Sequence, residues 1–291
     1  MLTMIRSNDL KVTVSDRGAQ LQSIQSPDGT EYLWQGDPRY WTSRAPNIFP
    51  YVARLTEGKY RYRGKEYGFG NHGLVRYADL AVTDATPDSV TYRLESDENT
   101  LRQYPFPFRY TMRYQAVGKR LVMQTTVENT GSERMYFAVG GHPGFNVPLE
   151  DGLAFSDYEL VFDEPAEPYR ILLADSGAVT PGQERYALQD GRRIPLSHSL
   201  FDHDAIVLHH MAKTVTLKAE TGKRSVTVSY PDFRYVGFWH KPKTDAPYLC
   251  IEPWTSLPSR EGIVETLPLQ SDLLFLDPGE RYRTAWWIEI N

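Results

Sequence analysis

The chain has 291 residues and an ordinary globular composition, with 41% hydrophobic and 24% charged residues. Its formal net charge is -5, and no Lys/Arg cluster forms the basic face typical of nucleic-acid binders, so we expect no nucleic-acid partner. One cysteine, Cys250, excludes an intrachain disulfide, and no segment reaches the ~18 apolar residues of a membrane span. We therefore expect a cytoplasmic protein that does not bind membranes, folded as one domain over residues 1–291 and present as a monomer or homodimer.

Alternation of apolar and polar residues predicts strands from the N-terminus onward, with Gly, Pro and Asp at the turns between them. The predicted elements of the first half are strands at 10–16, 20–25 and 31–34, hairpins at 59–69 and 79–96, a short helix at 97–104, and a meander at 108–131 that turns at Gly118-Lys119.

The second half continues the strand pattern. Further strands are predicted at 135–148, 205–210, 214–220, 225–231, 235–240 and 248–254, followed by two around Asp277-Pro278-Gly279. Residues 163–200 carry four prolines, and we interpret them as a loop-rich excursion. Many short strands with regular turns and almost no helical periodicity predict an all-β fold, a large sandwich of two broad antiparallel sheets.

Several motifs with known chemistry are absent. The chain has no GxGxxG or phosphate-binding loop and no GxSxG nucleophile elbow, which argues against nucleotide cofactors and serine hydrolysis. Cys250 lies in an apolar strand and is interpreted as a buried small residue. Asp202, His203 and Asp204 resemble a metal-ligand cluster, but on a strand His203 would point away from the two aspartates, so we expect no metal site.

An acid–base pair is the strongest chemical signal. His142 lies in GGHPGFNVP, where glycines and prolines fix the backbone around one imidazole, although a histidine that only caps a strand end is an alternative. Glu252 ends a very apolar strand, where a carboxylate is either paired or functional. With ordinary pKa values of ~6.5 and ~4.3, the two can serve as acid and base near neutral pH.

Five motifs in order give the chain a family resemblance. NIFPYVARL, NHGLVR, GGHPGFNVP, LFDHDAIVL and CIEPW resemble the corresponding segments of the aldose 1-epimerase (galactose mutarotase) family, in its bacterial LacX-like branch. The resemblance runs from about residue 10 to the C-terminus. It implies a large antiparallel β-sandwich with a sugar in an open cleft, and no cofactor or metal.

The resemblance also implies roles for individual residues. Glu252 would take the proton of the anomeric hydroxyl and His142 would protonate the ring oxygen. Arg54 and His72 would bind the sugar, and Asp204 would accept a hydroxyl hydrogen bond, with Asp202 as the alternative. The implied substrate is a free aldohexose. A hexose 6-phosphate epimerase, a non-catalytic carbohydrate-binding or sensing protein, and a glycoside hydrolase remain alternatives.

Overall fold

Twenty-four strands carry most of the regular backbone of the chain, and the computed structural model describes residues 1–291. In the first half they are β1 (Leu2–Arg6), β2 (Lys11–Ser15), β3 (Leu21–Gln25), β4 (Asn47–Ile48), β5 (Tyr60–Tyr62), β6 (Lys65–Tyr67), β7 (Ala81–Ala85), β8 (Ser89–Glu95), β9 (Phe108–Val117), β10 (Arg120–Asn129), β11 (Met135–Phe137), β12 (Gly140–Gly141) and β13 (Gly144–Asn146). In the second half they are β14 (Tyr158–Phe162), β15 (Tyr169–Leu173), β16 (Val179–Arg185), β17 (Arg193–Pro195), β18 (Ile206–His209), β19 (Thr214–Ala219), β20 (Ser225–Ser229), β21 (Tyr235–Trp239), β22 (Tyr248–Trp254), β23 (Leu274–Leu276) and β24 (Arg281–Ile290).

Two large sheets organise these strands. One has nine strands in the order β17-β14-β19-β20-β24-β10-β9-β8-β7, and the other has eight, in the order β16-β15-β18-β21-β22-β12-β4 with β13 also paired to β22. All neighbouring strands in both sheets are antiparallel. The all-β, antiparallel sandwich predicted from the sequence is therefore confirmed.

The two sheets pack face to face. Every second residue of β9 is buried, as expected for a strand with one face on the core. Across the interface, the Phe162 ring of the nine-stranded sheet lies 6.1 Å from the Phe238 ring of the eight-stranded sheet. The buried residues between the sheets belong to one hydrophobic cluster of 72 residues, so the core is continuous from one end of the sandwich to the other.

Strand β22 is buried on both of its faces. Leu249 and Ile251 point into the main core, whereas Tyr248 and Cys250 join a small second cluster. Because side chains alternate along a strand, Glu252 shares the face of Tyr248 and Cys250, away from the main core. The carboxyl group therefore lies on the outer side of the eight-stranded sheet, where the cleft described below opens.

The predicted hairpins agree well with the structure. Segments whose strands pair with distant parts of the chain were predicted less well. The hairpins at 59–69 and 79–96 and the meander at 108–131 are confirmed. The segment 31–34 forms only isolated bridges. The description of 163–200 as a loop-rich excursion is wrong, because β15 and β16 extend the eight-stranded sheet and β17 extends the nine-stranded sheet.

The one α-helix, α1 (Glu98–Gln103), starts at a reciprocal cap. The Asp97 carboxylate accepts from the Thr100 backbone N–H at 2.8 Å, and the Thr100 hydroxyl oxygen accepts from the Asp97 N–H at 2.7 Å. This arrangement satisfies donors that a helix start leaves free and confirms the predicted short helix. None of the helices in the structure has the length and apolarity needed to span a membrane.

Glycine at position 141 is required by the close approach of the two sheets. A Cβ atom there would lie 2.3 Å from the Trp286 ring, whereas a Cβ at Gly237 would meet its neighbours at 3.4 Å or more. We expect Gly141→Ala to lower the free energy of unfolding by ~1–3 kcal/mol through overpacking, measured by urea denaturation. Gly237→Ala is the matched control and should change it by less than ~1 kcal/mol. Equal effects of the two substitutions would contradict this packing constraint.

Candidate active site

A cleft of about 640 Å³ opens on the outer face of the eight-stranded sheet. Its lining includes all five residues singled out in the sequence, namely Arg54, His72, His142, Asp204 and Glu252. These residues come from five separate stretches of the chain. The fold brings together side chains that are up to about two hundred positions apart in the sequence. The volume lies in the range typical of small-molecule sites.

Glu252 forms part of the floor of the cleft. It lies on β22 opposite Gly237 of β21, and only 1% of its surface is exposed. Its Oε2 atom is buried and makes no hydrogen bond. Burial raises the pKa of the Glu252 carboxyl well above its usual range, and the neighbouring Asp204 carboxylate raises it further. In the free protein, burial therefore favours the protonated form of the carboxyl.

His142 lies beside Glu252 in the short connection between β12 and β13. Its backbone N–H donates to the Pro46 carbonyl at 3.0 Å, which fixes the chain on the cleft side of the sheet. The ring Nε2 lies 3.3 Å from Glu252 Oε2, and Nδ1 is buried without a hydrogen-bond partner. Burial, aided by the charge of Arg76, lowers the pKa of His142 to about 3.

Burial shifts the two groups toward a state in which the pair holds a single proton. The raised pKa of Glu252 and the lowered pKa of His142 both have burial as their main cause, and both favour the uncharged form. A neutral carboxyl and a neutral imidazole contain the same number of protons as a carboxylate and an imidazolium. The pair can therefore offer one proton donor and one acceptor with the proton on either member.

His72 presents a hydrogen-bond donor to the cleft. Its backbone φ of 64° is left-handed, and its Nδ1 accepts from the Ala53 backbone N–H at 3.1 Å. Burial lowers the pKa of His72 well below the usual value, so the ring is neutral. Because Nδ1 accepts, the proton of the neutral ring must be on Nε2. Next to it, Gly73 has φ of 83°, and a Cβ there would lie 2.3 Å from the Phe49 carbonyl oxygen.

Asp202, His203 and Asp204 all line the cleft, which corrects the strand geometry predicted for them. They precede β18, which begins at Ile206, and lie in an irregular turn where Asp204 has φ of 75°. The alternation that would place His203 opposite the aspartates therefore does not apply. Asp204 accepts from the Ala205 backbone N–H at 2.9 Å, and burial raises the pKa of its carboxyl.

Comparison with known proteins identifies the family of this chain. The sequence profile of the aldose 1-epimerase family matches residues 1–285. The plasmid-encoded protein LacX of Lactococcus lactis subsp. lactis is 31% identical over 293 residues, which cover 97% of each chain. The chain belongs to the aldose 1-epimerase family.

Solved structures of similar proteins share the fold over the full length of this family member. A galactose mutarotase related enzyme from Lactobacillus acidophilus superposes with a TM-score of 0.95 at 32% identity, covering 100% of this chain and 97% of its own. A galactose mutarotase-like protein from Lactobacillus casei gives a TM-score of 0.95 at 28% identity, with 100% of both chains covered.

Several cleft residues of this aldose 1-epimerase family member were not assigned to the site from the sequence, among them Trp41, Arg76, Trp239 and Lys241. Arg76 is half-buried and donates to the Ser43 hydroxyl at 3.1 Å. It lies four residues after His72 in NHGLVR, so a motif that was already noted contained the signal. Trp41 had no such signal, because only the folded loop brings it onto His142.

One group of side chains approaches the composition of a metal site. Donor atoms of His142, Cys250 and Glu252 lie within 4.8 Å of one another. Metal binding would need the Cys250 thiolate, but burial raises the pKa of this thiol well above its usual value, and Glu252 raises it further. The arrangement favours a proton-transfer pair next to a structural thiol.

The hydrogen bond to His72 Nδ1 makes a prediction for NMR. We expect ¹⁵N-resolved spectra to show His72 as the neutral Nε2–H form at about pH 5, where an ordinary histidine with a pKa of ~6.5 is mostly charged. The same protein unfolded in urea provides the control and should show protonation at this pH. A charged His72, or the Nδ1–H form, in the folded protein would contradict the assigned donor.

Proposed function

We propose that the chain is a mutarotase that interconverts the α and β anomers of a free aldohexose without a cofactor. The observation that carries this proposal is the 3.3 Å contact between His142 Nε2 and Glu252 Oε2 at the cleft floor. Membership of the aldose 1-epimerase family supports a sugar substrate and an isomerisation. The contact supplies a proton acceptor and a proton donor. Ring opening needs both, because the anomeric hydroxyl oxygen loses a proton and the ring oxygen gains one.

The spacing of the pair suits the two oxygens of a cyclic hemiacetal. The hydroxyl oxygen and the ring oxygen are both bonded to the same carbon, C1. Two proton-transferring groups 3.3 Å apart can reach both oxygens from one side of the sugar, within the distances that general acid–base catalysis needs. Glycoside hydrolysis instead uses two carboxyl groups that lie on either side of the glycosidic bond to be cleaved.

The reaction then runs in four steps. Glu252 takes the proton of the C1 hydroxyl. The C1–O double bond of the aldehyde forms as the C1–ring-oxygen bond breaks, and the ring oxygen takes a proton from His142. The C1–C2 bond rotates, and the reverse transfers close the ring as the other anomer. Because the free site holds its proton on Glu252, this assignment requires that proton to pass to His142 when the sugar binds.

His72, Asp204 and Arg54 bind the sugar in this proposal. The His72 Nε2–H donates to a sugar oxygen, since its other nitrogen is occupied by the Ala53 N–H. Asp204 accepts from a hydroxyl, and Arg54 donates to another. The left-handed backbones of His72 and Asp204 are sparsely populated conformations, which cluster at binding and catalytic sites.

A hexose 6-phosphate is the second candidate substrate. Lys241 and Lys243 lie near each other in the cleft lining, which also includes Arg54 and Arg76, and such side chains suit a phosphate. Asp175, Asp202 and Asp204 line the same cleft, and their carboxylates would repel a phosphate. This mixture of charges favours a neutral sugar, and a panel of both substrate types distinguishes the two.

Substitution of the proposed base tests the function. We expect Glu252→Gln to slow exchange between glucose or galactose anomers by ~10²–10⁴-fold, because an amide cannot take the hydroxyl proton. Exchange is followed by NMR and polarimetry over a panel of hexoses and hexose 6-phosphates. The matched control is Glu289→Gln on β24, a glutamate that does not line the cleft, and it should retain activity.

Three outcomes would contradict the proposal. If Glu252→Gln keeps wild-type rates on every active sugar, Glu252 is not the base. If calorimetry shows sugar binding by the wild type while anomers exchange at the buffer rate, the protein binds or senses sugar without catalysis. Faster exchange of hexose 6-phosphates than of free hexoses would replace the proposed substrate with the second candidate.

The shared proton also predicts the pH dependence of kcat/KM. Activity requires one proton on the pair, so it falls only when His142 is also protonated or when Glu252 loses its proton. Since burial lowers the pKa of His142 to about 3 and raises that of Glu252, we expect the plateau to extend far to the acidic side of neutral pH and the basic limb to lie above the usual range of a glutamate. The acidic limb should lie well below the ~6.5 of an ordinary histidine. An acidic limb at pH 6–7 would contradict the assignment.

A further inference from the structure

The His142 ring lacks the hydrogen bond that usually orients a catalytic imidazole. In acid–base sites the second ring nitrogen commonly donates to a carboxylate or carbonyl, which fixes the ring plane. Here Nδ1 is buried and has no partner, while Nε2 faces Glu252 at 3.3 Å. Rotation of the ring would move Nε2 away from Glu252, and the rings packed around His142 oppose that rotation.

Three aromatic rings supply this packing. Trp41 stacks on the face of His142, with ring centroids 4.8 Å apart and planes 25° from parallel. His72 and Trp239 contact it with nearly perpendicular rings, at 5.1 Å and 83° and at 5.7 Å and 84°. Trp41 is therefore the ring whose plane sets the plane of the imidazole.

Trp41 is itself firmly held. It belongs to residues 37–44, here called the tryptophan loop. Several hydrogen bonds tie this loop to the scaffold. They include Trp34 Nε1 to the Trp41 carbonyl at 2.8 Å, Lys241 Nζ to the Arg39 carbonyl at 2.8 Å, and the Tyr40 hydroxyl to Asp245 Oδ1 at 2.9 Å. The Trp41 ring also stacks on Tyr248 at 5.8 Å and 25°. The indole is thus a fixed surface against which His142 rests.

We propose that Trp41 is a positioning residue that holds the His142 imidazole in the plane needed for proton transfer, in place of a hydrogen bond to Nδ1. The inference about catalysis rests on the mutarotase function proposed above. The inference about the stacked ring does not, because it concerns the free protein. Trp41 acts through His142 and is distinct from a residue that binds sugar.

Two substitutions separate aromatic stacking from simple bulk. Trp41→Leu keeps an apolar side chain but removes the aromatic face, and Trp41→Phe keeps a smaller face. We expect kcat of Trp41→Leu to fall by about 10- to 100-fold with KM changed less than about 3-fold, because a misdirected group loses rate more than binding. Trp41→Phe should recover most of kcat. Trp287→Leu on β24, remote from the cleft, is the matched control and should leave both unchanged.

NMR gives a readout that needs no activity. In the wild type, the His142 ring protons should be shifted upfield by the indole ring current, and this shift should be lost in Trp41→Leu and partly kept in Trp41→Phe. Exposure of the face should also raise the pKa of His142, which burial lowers, and move the acidic limb of kcat/KM upward. His72, Arg76 and Glu252 also face this ring and are unchanged in all three variants.

The outcomes are distinguishable. A raised KM with unchanged kcat in Trp41→Leu would show that Trp41 binds sugar and would overturn the proposal. An unshifted His142 signal in the wild type would overturn it even if no sugar is isomerised. If Trp41→Leu does not fold, as judged by circular dichroism, Trp41→Phe decides: an intermediate ring-current shift supports the proposal, and wild-type kcat with a lost shift overturns it.

Discussion

The site depends on two ionisable groups buried against each other at 3.3 Å. Moving either His142 or Glu252 out of water in its charged form would be strongly unfavourable, and a buried charge without a partner destabilises a protein by several kcal/mol. Sharing a single proton avoids this penalty, because both groups can be neutral at once. The same arrangement makes the pair chemically poised, since one proton can be offered and one accepted at adjacent atoms. The shared proton therefore both avoids a buried charge and equips the pair for proton transfer.

The sandwich makes this burial possible. A strand with one face in water would leave Glu252 solvated, but β22 has neighbours on both faces. Its inner face packs in the main core, and its outer face is covered by the cluster around Tyr248 and by the tryptophan loop. The close contact of Gly141 with Trp286 then fixes the height of the backbone that carries His142. Packing of β22 in the core thus fixes the position of the Glu252 carboxyl. Packing of one sheet on the other fixes the position of the backbone that carries the His142 imidazole.

The sequence predicted the parts of this structure whose causes are local. Turn residues such as Gly118-Lys119 and the cap at Asp97 act within a few positions, so the hairpins, the meander and the helix could be identified. Residues 163–200 could not, because their short strands are stabilised by pairing with distant strands rather than by a strong pattern of their own. In the site, motifs identified all five predicted cleft residues, although their roles stay predictions. Trp41 could not be found, since its contact with His142 exists only after the tryptophan loop has folded.

Arg76 adds an electrostatic constraint that burial alone does not supply. Its guanidinium is half-buried beside the pair, and its charge lowers the pKa of both His142 and Glu252. Because the pKa values of both groups shift in the same direction, the preference of the proton for one group over the other is largely unchanged. It makes any proton on the pair easier to release, while burial decides that the free site holds it on Glu252. A bound sugar that supplies hydrogen bonds to the Glu252 carboxylate would then oppose burial and bring the two forms of the pair closer in free energy. In the proposed reaction the proton crosses from one group to the other, and this transfer costs least when the two forms of the pair are nearly equal in free energy.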